Sequence, residues 1–139
     1  MFAGCGDARA PGDDLRADPR DAAKVGAGGK IYAQQCTACH GAKLEGQANW
    51  RVRLPDGRLP APPHDESGHT WHHPDKVLFG ITKHGLVPPY APPDYQSDMP
   101  AFGGKLADDE IWAVLGYIKS HWTSRDVLDA RAEMTNRRR

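Results

Sequence analysis

Cys36-Thr37-Ala38-Cys39-His40 is the stretch that decides the fold. Two cysteines separated by two residues and followed at once by a histidine form the attachment signature of c-type haem. One helical turn brings Cys36 and Cys39 to the same side, where each thiol can add to one haem vinyl group. His40 then lies beneath the macrocycle, where its imidazole can take an axial position on the iron. The motif therefore predicts one covalently attached haem c.

The alternative for this motif is an ordinary redox or zinc Cys-x-x-Cys pair beside an unrelated histidine. A zinc ribbon needs a second pair of Cys or His ligands at metal spacing, and Cys5 is the only other cysteine in the chain. A thiol oxidoreductase without haem is the least favoured interpretation, because the rest of the chain supplies what a haem needs.

Length and charge limit the function classes. The chain has 139 residues, which is room for one domain and little more. Its 18 basic and 18 acidic residues cancel, so the balance gives no support for nucleic-acid binding. No apolar stretch approaches the length of a membrane span. We expect a flexible tether over residues 1–21, a folded domain over 22–123, and a solvated, partly disordered tail over 124–139.

The first residues suggest a location. Met1-Phe2-Ala3-Gly4-Cys5 is similar to the end of a bacterial lipoprotein signal, in which Cys5 would carry lipid. An unmodified thiol in a flexible segment is the alternative. Haem attachment through this motif occurs on the oxidising side of membranes, so we expect a periplasmic protein or one held at the exported face by Cys5.

Hydrophobic periodicity predicts three main helices and no strands, which is an all-α domain. The first helix should begin near Pro19 or Asp21 and continue into the haem motif. The most regular apolar stripe predicts a helix from Asp108 to about Trp122, with three acids in its first turn. A further helix is expected over 74–83, with Gly85 as its C-cap.

Met99 is the candidate for the sixth iron ligand. Of the three methionines, Met1 and Met134 lie towards the chain ends. Pro100 biases Met99 towards an extended conformation, which would let the thioether project from a proline-rich loop onto the iron. A core or surface methionine is the alternative.

These features together resemble a class I cytochrome c, the small mono-haem family, over about residues 22–122. The resemblance implies an all-α fold in which the N- and C-terminal helices cross around the haem. Gly28 and Tyr32 match the first side of that crossing, and Val114, Tyr117 and Ile118 match the second. It also implies thioether attachment at Cys36 and Cys39, and axial ligation by His40 and Met99.

Two parts of the chain depart from that pattern. Ala107 occupies the position where the family usually has a capping Ser or Thr, so either Asp108 caps the last helix or its start is weaker by about 1 kcal/mol. The segment 49–73, rich in Pro, Arg, Trp and His, does not map onto a typical family loop.

Four histidines lie within this stretch, namely His64, His69, His72 and His73. They suggest a second metal site, a histidine that replaces Met99 on the iron, or, as we favour, bonds to loop backbone and haem propionates, with His73 capping the next helix. The other candidate haem-environment residues are Tyr32, Trp50, Arg51, Arg53, Trp71, Pro100 and Phe102. Among these, Trp50, Arg51, Arg53 and Trp71 are expected near the propionates.

The resemblance implies a one-electron carrier rather than an enzyme. Its partners would be redox proteins such as a dehydrogenase, a cytochrome complex or a terminal oxidase. Two alternatives stay open: a sensor or peroxidase-like c-haem protein with an open or bis-histidine iron, and a metal-handling module that uses the segment from His64 to His73.

Overall fold

The structure, a computed structural model, describes residues 14–137, and in that range it is helical without strands. This confirms the all-α prediction. The α-helices are α1 (Ala22–Gln35), α2 (Thr37–His40), α3 (Asp75–His84), α4 (Asp108–Lys119) and α5 (Arg125–Asn136). Single 3-10 turns cover Leu15–Ala17 and Thr70–His72. None of these helices combines the length and the apolar character that crossing a membrane requires.

Helices α1 and α4 cross at Gly28, as predicted. A Cβ atom at Gly28 would lie 2.0 Å from the carbonyl oxygen of Ala113, so only glycine permits this approach. One turn later, the Tyr32 ring meets the Tyr117 ring with centroids 5.3 Å apart. This contact holds the start of the haem motif against α4.

The core lies mainly along α4. Its apolar face buries Ile111, Val114, Leu115 and Ile118, and Trp122 is buried just beyond the helix end. Phe79 of α3 stacks on Trp112 at a centroid distance of 4.2 Å. Helix α4 therefore packs against both α1 and α3. It ends at Lys119, three residues before the predicted end.

The N-terminal caps of α3 and α4 differ from the sequence predictions. His73 was expected to cap α3, but Pro74 occupies the N-cap and no side chain caps the helix there. At α4, Ala107 is the N-cap and supplies no side-chain acceptor, while Glu110 accepts the Ala107 N–H at 3.0 Å. Half of a capping box therefore forms, and Asp108 is not the cap.

The expectation of a flexible tether is wrong for residues 14–21. Ala17 is fully buried in the core cluster, where its backbone packs against Gly116 of α4. The Asp14 N–H donates to Asp75 Oδ2 at 2.8 Å, a contact that links segments 61 residues apart. Residues 14–21 contain few apolar side chains, and this part of the chain is ordered because it contacts Asp75 of α3 and Gly116 of α4.

The expectation of a solvated tail from residue 124 is also wrong. Ser124 caps α5, and α5 buries Val127 and Arg131. Arg131 donates to Asp75 Oδ1 at 2.7 Å, and Lys119 donates to Asp75 Oδ2 at 2.8 Å. A buried carboxylate in α3 therefore binds both α4 and α5, so the folded body extends through α5.

Some predictions fall outside the described residues. These are lipid attachment at Cys5, the tether over residues 1–13, and the final basic residues 138–139.

Candidate functional site

The Cys-x-x-Cys-His stretch forms a tight helical turn at the end of α1. Cys36 is the C-cap of α1, and both the Cys39 and His40 N–H groups donate to the Cys36 carbonyl, at 3.2 and 2.9 Å. Neither cysteine is in a disulfide; Cys36 is half-buried and Cys39 is exposed. Burial, with a smaller effect of Cys39, raises the pKa of the Cys36 thiol to about 11. The two sulfur atoms are thus one turn apart and not joined to each other, as addition to two vinyl groups requires.

His40 is buried, and its ring is oriented by backbone. The Nδ1 atom lies 2.8 Å from the Pro62 carbonyl oxygen, so Nδ1 carries the proton and donates it. Burial lowers the pKa of His40, although the bond to Pro62 opposes that shift. The neutral ring then has its lone pair on Nε2, the state that a metal-ligating imidazole needs.

His64 lies directly against His40. The two imidazole rings stack with centroids 3.8 Å apart and planes 22° from parallel. The Tyr32 hydroxyl lies 3.2 Å from His64 Nδ1. Burial, with a smaller effect of His40, holds the pKa of His64 well below its ordinary value. Sequence reasoning included His64 among several loop histidines, but it had no signal for this contact.

The stack argues against His64 as the ligand opposite His40. Ligands on opposite faces of a haem are separated by the macrocycle, and two rings in contact at 3.8 Å lie on the same face. Of the four histidines considered as iron ligands in place of Met99, His64 is therefore excluded.

The Met99 loop, residues 97–102, is anchored on both sides of the half-buried methionine. Ser97 Oγ accepts the Met99 N–H at 3.1 Å, and Asp98 forms an ion pair with Arg58 at 3.1 Å. After the exposed Pro100, the buried Phe102 donates its N–H to the Thr82 carbonyl of α3 at 2.9 Å. Met99 ligation stays a prediction, because these contacts constrain the loop but do not include His40.

Arg58 carries a buried polar atom that lacks a hydrogen bond. Its Nε lies 3.1 Å from Asp98 Oδ1, but the N–H is not aligned with that oxygen, so an ion pair forms without a hydrogen bond. A buried donor of this kind fits an acceptor that the protein part does not supply, such as a haem propionate. The sequence predicts propionate contacts for Arg51 and Arg53, and it contains no local signal for the buried Nε of Arg58.

The other propionate candidates already have protein partners. Arg53 donates to the Gly57 carbonyl at 2.7 Å, and the Arg51 guanidinium lies 4.5 Å above the Trp50 ring. Trp50 is half-buried. Trp71 gives its indole N–H to the Glu66 carbonyl at 3.0 Å and packs against the core. Their roles towards a haem stay predictions.

The remaining histidines of the segment are exposed. His69 and His72 have ring centroids 5.3 Å apart. Partial loss of hydration, together with the charges of His72, His69 and Arg131, lowers the pKa of His73. Within residues 14–137, no three His, Cys, Asp or Glu side chains are arranged to hold a metal ion. This finding gives the metal-handling alternative no support.

The donor set therefore fits a haem c. The two cysteines are one turn apart and outside any disulfide, and His40 Nδ1 donates to Pro62, which leaves Nε2 available. The buried Nε of Arg58, which lacks a hydrogen bond, is paired with Asp98 in the Met99 loop.

Comparison with known families gives an independent result. A family model described as "Cytochrome C oxidase, cbb3-type, subunit III" matches residues 23–118. Comparisons with curated proteins and with solved structures found no match. The family match covers more than half of the chain, so the chain belongs to this family. It is a c-type cytochrome with covalently bound haem c.

Proposed function

We propose that this member of the cbb3-type cytochrome c oxidase subunit III family is a mono-haem, one-electron carrier. Cys36 and Cys39 form the thioethers, and His40 and Met99 are the axial ligands. Bound haem iron supplies the ferric/ferrous couple. The chain's residues hold that iron in one coordination state, so electron transfer requires little rearrangement.

The observation that carries this proposal is the state of His40. Donation from Nδ1 to the Pro62 carbonyl at 2.8 Å fixes the tautomer and makes Nε2 the more basic ligand. The ring is buried, so water does not compete readily for Nε2. A surface histidine without a role would have neither restraint.

Met99 ligation is supported by the two anchors of its loop. The Asp98 ion pair with Arg58 and the Phe102 bond to Thr82 limit the freedom of the residues that flank the thioether. A thioether is a weak ligand, so a pre-ordered loop reduces the entropy lost on binding. Pro100 restricts the loop further.

Arg58 is proposed as a partner of a haem propionate. Its guanidinium already contacts Asp98 and donates to Asp56 at 3.3 Å, and its buried Nε retains an unused hydrogen. A charge-assisted bond to a propionate would satisfy that hydrogen. The same residue would then connect the propionate with the loop of Met99.

We further propose that the partners are redox proteins of an oxidase or cytochrome complex. The family name supports an oxidase context. Thioether attachment supports the exported face of a bacterial membrane, and lipid on Cys5 would hold the chain there. A carrier function, without catalysis on a bound substrate, would follow from both axial positions being filled by His40 and Met99.

The experiment uses ferric and ferrous absorption spectra of the matured protein. A thioether bound to ferric iron gives a weak far-red band, which we expect in the wild type and expect to vanish in Met99→Ala. Met134→Ala is the matched control, because Met134 lies in α5, and it should retain the band. Ferrous Met99→Ala should bind carbon monoxide readily, whereas the wild type should not.

The opposite result would support the open-iron alternative. A wild-type protein without the far-red band that binds carbon monoxide as readily as Met99→Ala would contradict ligation by Met99. A sensor or peroxidase-like function would then replace the carrier function.

A further inference from the structure

We propose that His64 is a positioning residue for the axial imidazole, and that it fixes the plane of the His40 ring. This inference rests on the proposed role of His40 as an iron ligand. It adds a residue to the site that neither the haem motif nor the Met99 loop contains.

The hydrogen bond to Pro62 leaves part of the His40 ring motion open. It fixes the distance of Nδ1 from one carbonyl oxygen, but hydrogen bonds tolerate bending of several tens of degrees. The ring can therefore still tilt about that contact. The His64 ring covers one face of His40 at 3.8 Å, which is van der Waals contact for flat rings, and so it blocks tilting in that direction.

His64 can impose this restraint because it is held at three points. Its N–H donates to the Leu44 carbonyl at 2.9 Å, and its carbonyl accepts the Trp122 indole N–H at 2.9 Å. Its ring nitrogen Nδ1 is 3.2 Å from the Tyr32 hydroxyl. All three partners are core residues with at most 3% of their surface exposed. The orientation of His40 is thus connected to the crossing of α1 and α4.

The bond with Tyr32 distinguishes positioning from simple filling of space. His64→Leu would keep a similar volume, but it would remove the hydrogen-bond partner that His64 gives the buried Tyr32 hydroxyl among the described residues. A phenol hydroxyl both donates and accepts, so it bonds Nδ1 of His64 in either tautomer of the ring. The hydrogen bond selects one rotamer of His64, and that rotamer selects the plane of His40.

The plane of an axial imidazole has a spectroscopic signature. Its π orbital interacts most with the iron d orbital perpendicular to the ring, so rotating the ring changes the energy gap between the two dπ orbitals. That gap sets the spread of the g values in the ferric electron paramagnetic resonance spectrum and the order of the haem methyl shifts in the proton NMR spectrum. Simple loss of stability changes neither quantity in the folded fraction.

The test compares ferric holoprotein variants by both spectroscopies. In His64→Leu we expect an altered g-value spread and a reordered or broadened set of methyl resonances. Tyr32→Phe keeps the aromatic packing and removes only the hydroxyl, so it should change both signals in the same direction by less. His64→Phe keeps a flat ring at the contact and should lie closer to the wild type than His64→Leu does. His73→Leu, an exposed histidine of the same segment, is the control and should leave both signals unchanged.

Wild-type g values and methyl shifts in both His64→Leu and Tyr32→Phe would overturn the inference. If His64→Leu does not mature, Tyr32→Phe and His64→Phe decide the question by the same criteria. Failure of the proposed function would look different, because the wild-type protein itself would then lack the far-red band that a bound thioether gives.

Discussion

Replacing Asp75 with alanine should destabilise the protein severely. The Asp75 side chain is 4% exposed and forms ion pairs with Lys119 at 2.8 Å and Arg131 at 2.7 Å, whose side chains are 3% and 9% exposed. It also accepts the Asp14 N–H at 2.8 Å. One carboxylate therefore joins the residues before α1 to α3, α4 and α5.

The expected loss follows from burial. Removing one partner of a buried ion pair costs about 3–5 kcal/mol, because the remaining charge stays in a poorly solvated place. Arg131 retains bonds to the Trp71 and His73 carbonyls at 2.9 Å, which reduces the penalty at that side. We therefore expect Asp75→Ala to lower the free energy of unfolding by about 4 kcal/mol.

Urea unfolding of the ferric holoprotein, followed by far-ultraviolet circular dichroism, measures this loss. With a slope of about 2 kcal/mol per molar urea, the midpoint should fall by about 2 M. Asp129→Ala is the control, because the Asp129 side chain is 71% exposed and that of its ion-pair partner Arg125 is 90% exposed. The free energy of unfolding of this variant should stay within about 0.5 kcal/mol of the wild type. A loss below about 1 kcal/mol in Asp75→Ala would refute the buried network and the attachment of α5.

Three further predictions concern the crossing, the loop contacts and the iron. Gly28→Ala should destabilise the protein by about 1–3 kcal/mol in urea unfolding, because its Cβ would overlap the Ala113 carbonyl. Gly26 faces open space within the helix, so Gly26→Ala is the control and should stabilise the protein by about 0.5–1 kcal/mol. Equal effects of the two substitutions would contradict the crossing of α1 and α4. Two backbone N–H donors hold the pKa of Glu66 below its ordinary 4.5, so its stabilisation is present above that pH and is lost as the pH falls through the folded-state pKa. The difference in unfolding free energy between wild type and Glu66→Gln should therefore shrink on acidification, and a constant difference would contradict the shift. Arg58→Leu removes a positive charge beside the proposed propionate, so voltammetry should show a lower reduction potential, and an unchanged potential would argue against that contact.

The parts of the fold that local patterns encode could be predicted from the sequence. The haem motif, the apolar stripe of α4 and the small residue Gly28 each act over a few residues, and the crossing of α1 and α4 follows from them. The end of α3 was likewise visible, because Gly85 with φ of 85° suits a helix C-cap.

Helix α5 was missed because its stability comes from distant residues. The segment Arg125–Asn136 is rich in charge, and composition alone favours a solvated tail. Arg131 is ordered by Asp75, a partner 56 residues earlier. No pattern within either segment reports that pairing.

In the site, too, local motifs could be predicted, whereas contacts between distant residues could not. Cys36, Cys39 and His40 lie within five consecutive residues, so their proposed joint role could be predicted from the sequence. The stack of His64 on His40 and the ion pair of Arg58 with Asp98 both depend on how the loop over residues 41–73 folds back. That loop contains few regular elements, so its course could not be derived from periodicity.

The most direct test of the central claim is the intact mass of the protein matured in a host that attaches c-type haem, before and after extraction with acidified acetone. The account predicts the polypeptide mass plus one haem, unchanged by extraction, with the added mass on the peptide that contains Cys36 and Cys39. A colourless protein at the polypeptide mass, or haem that the solvent removes, would contradict it.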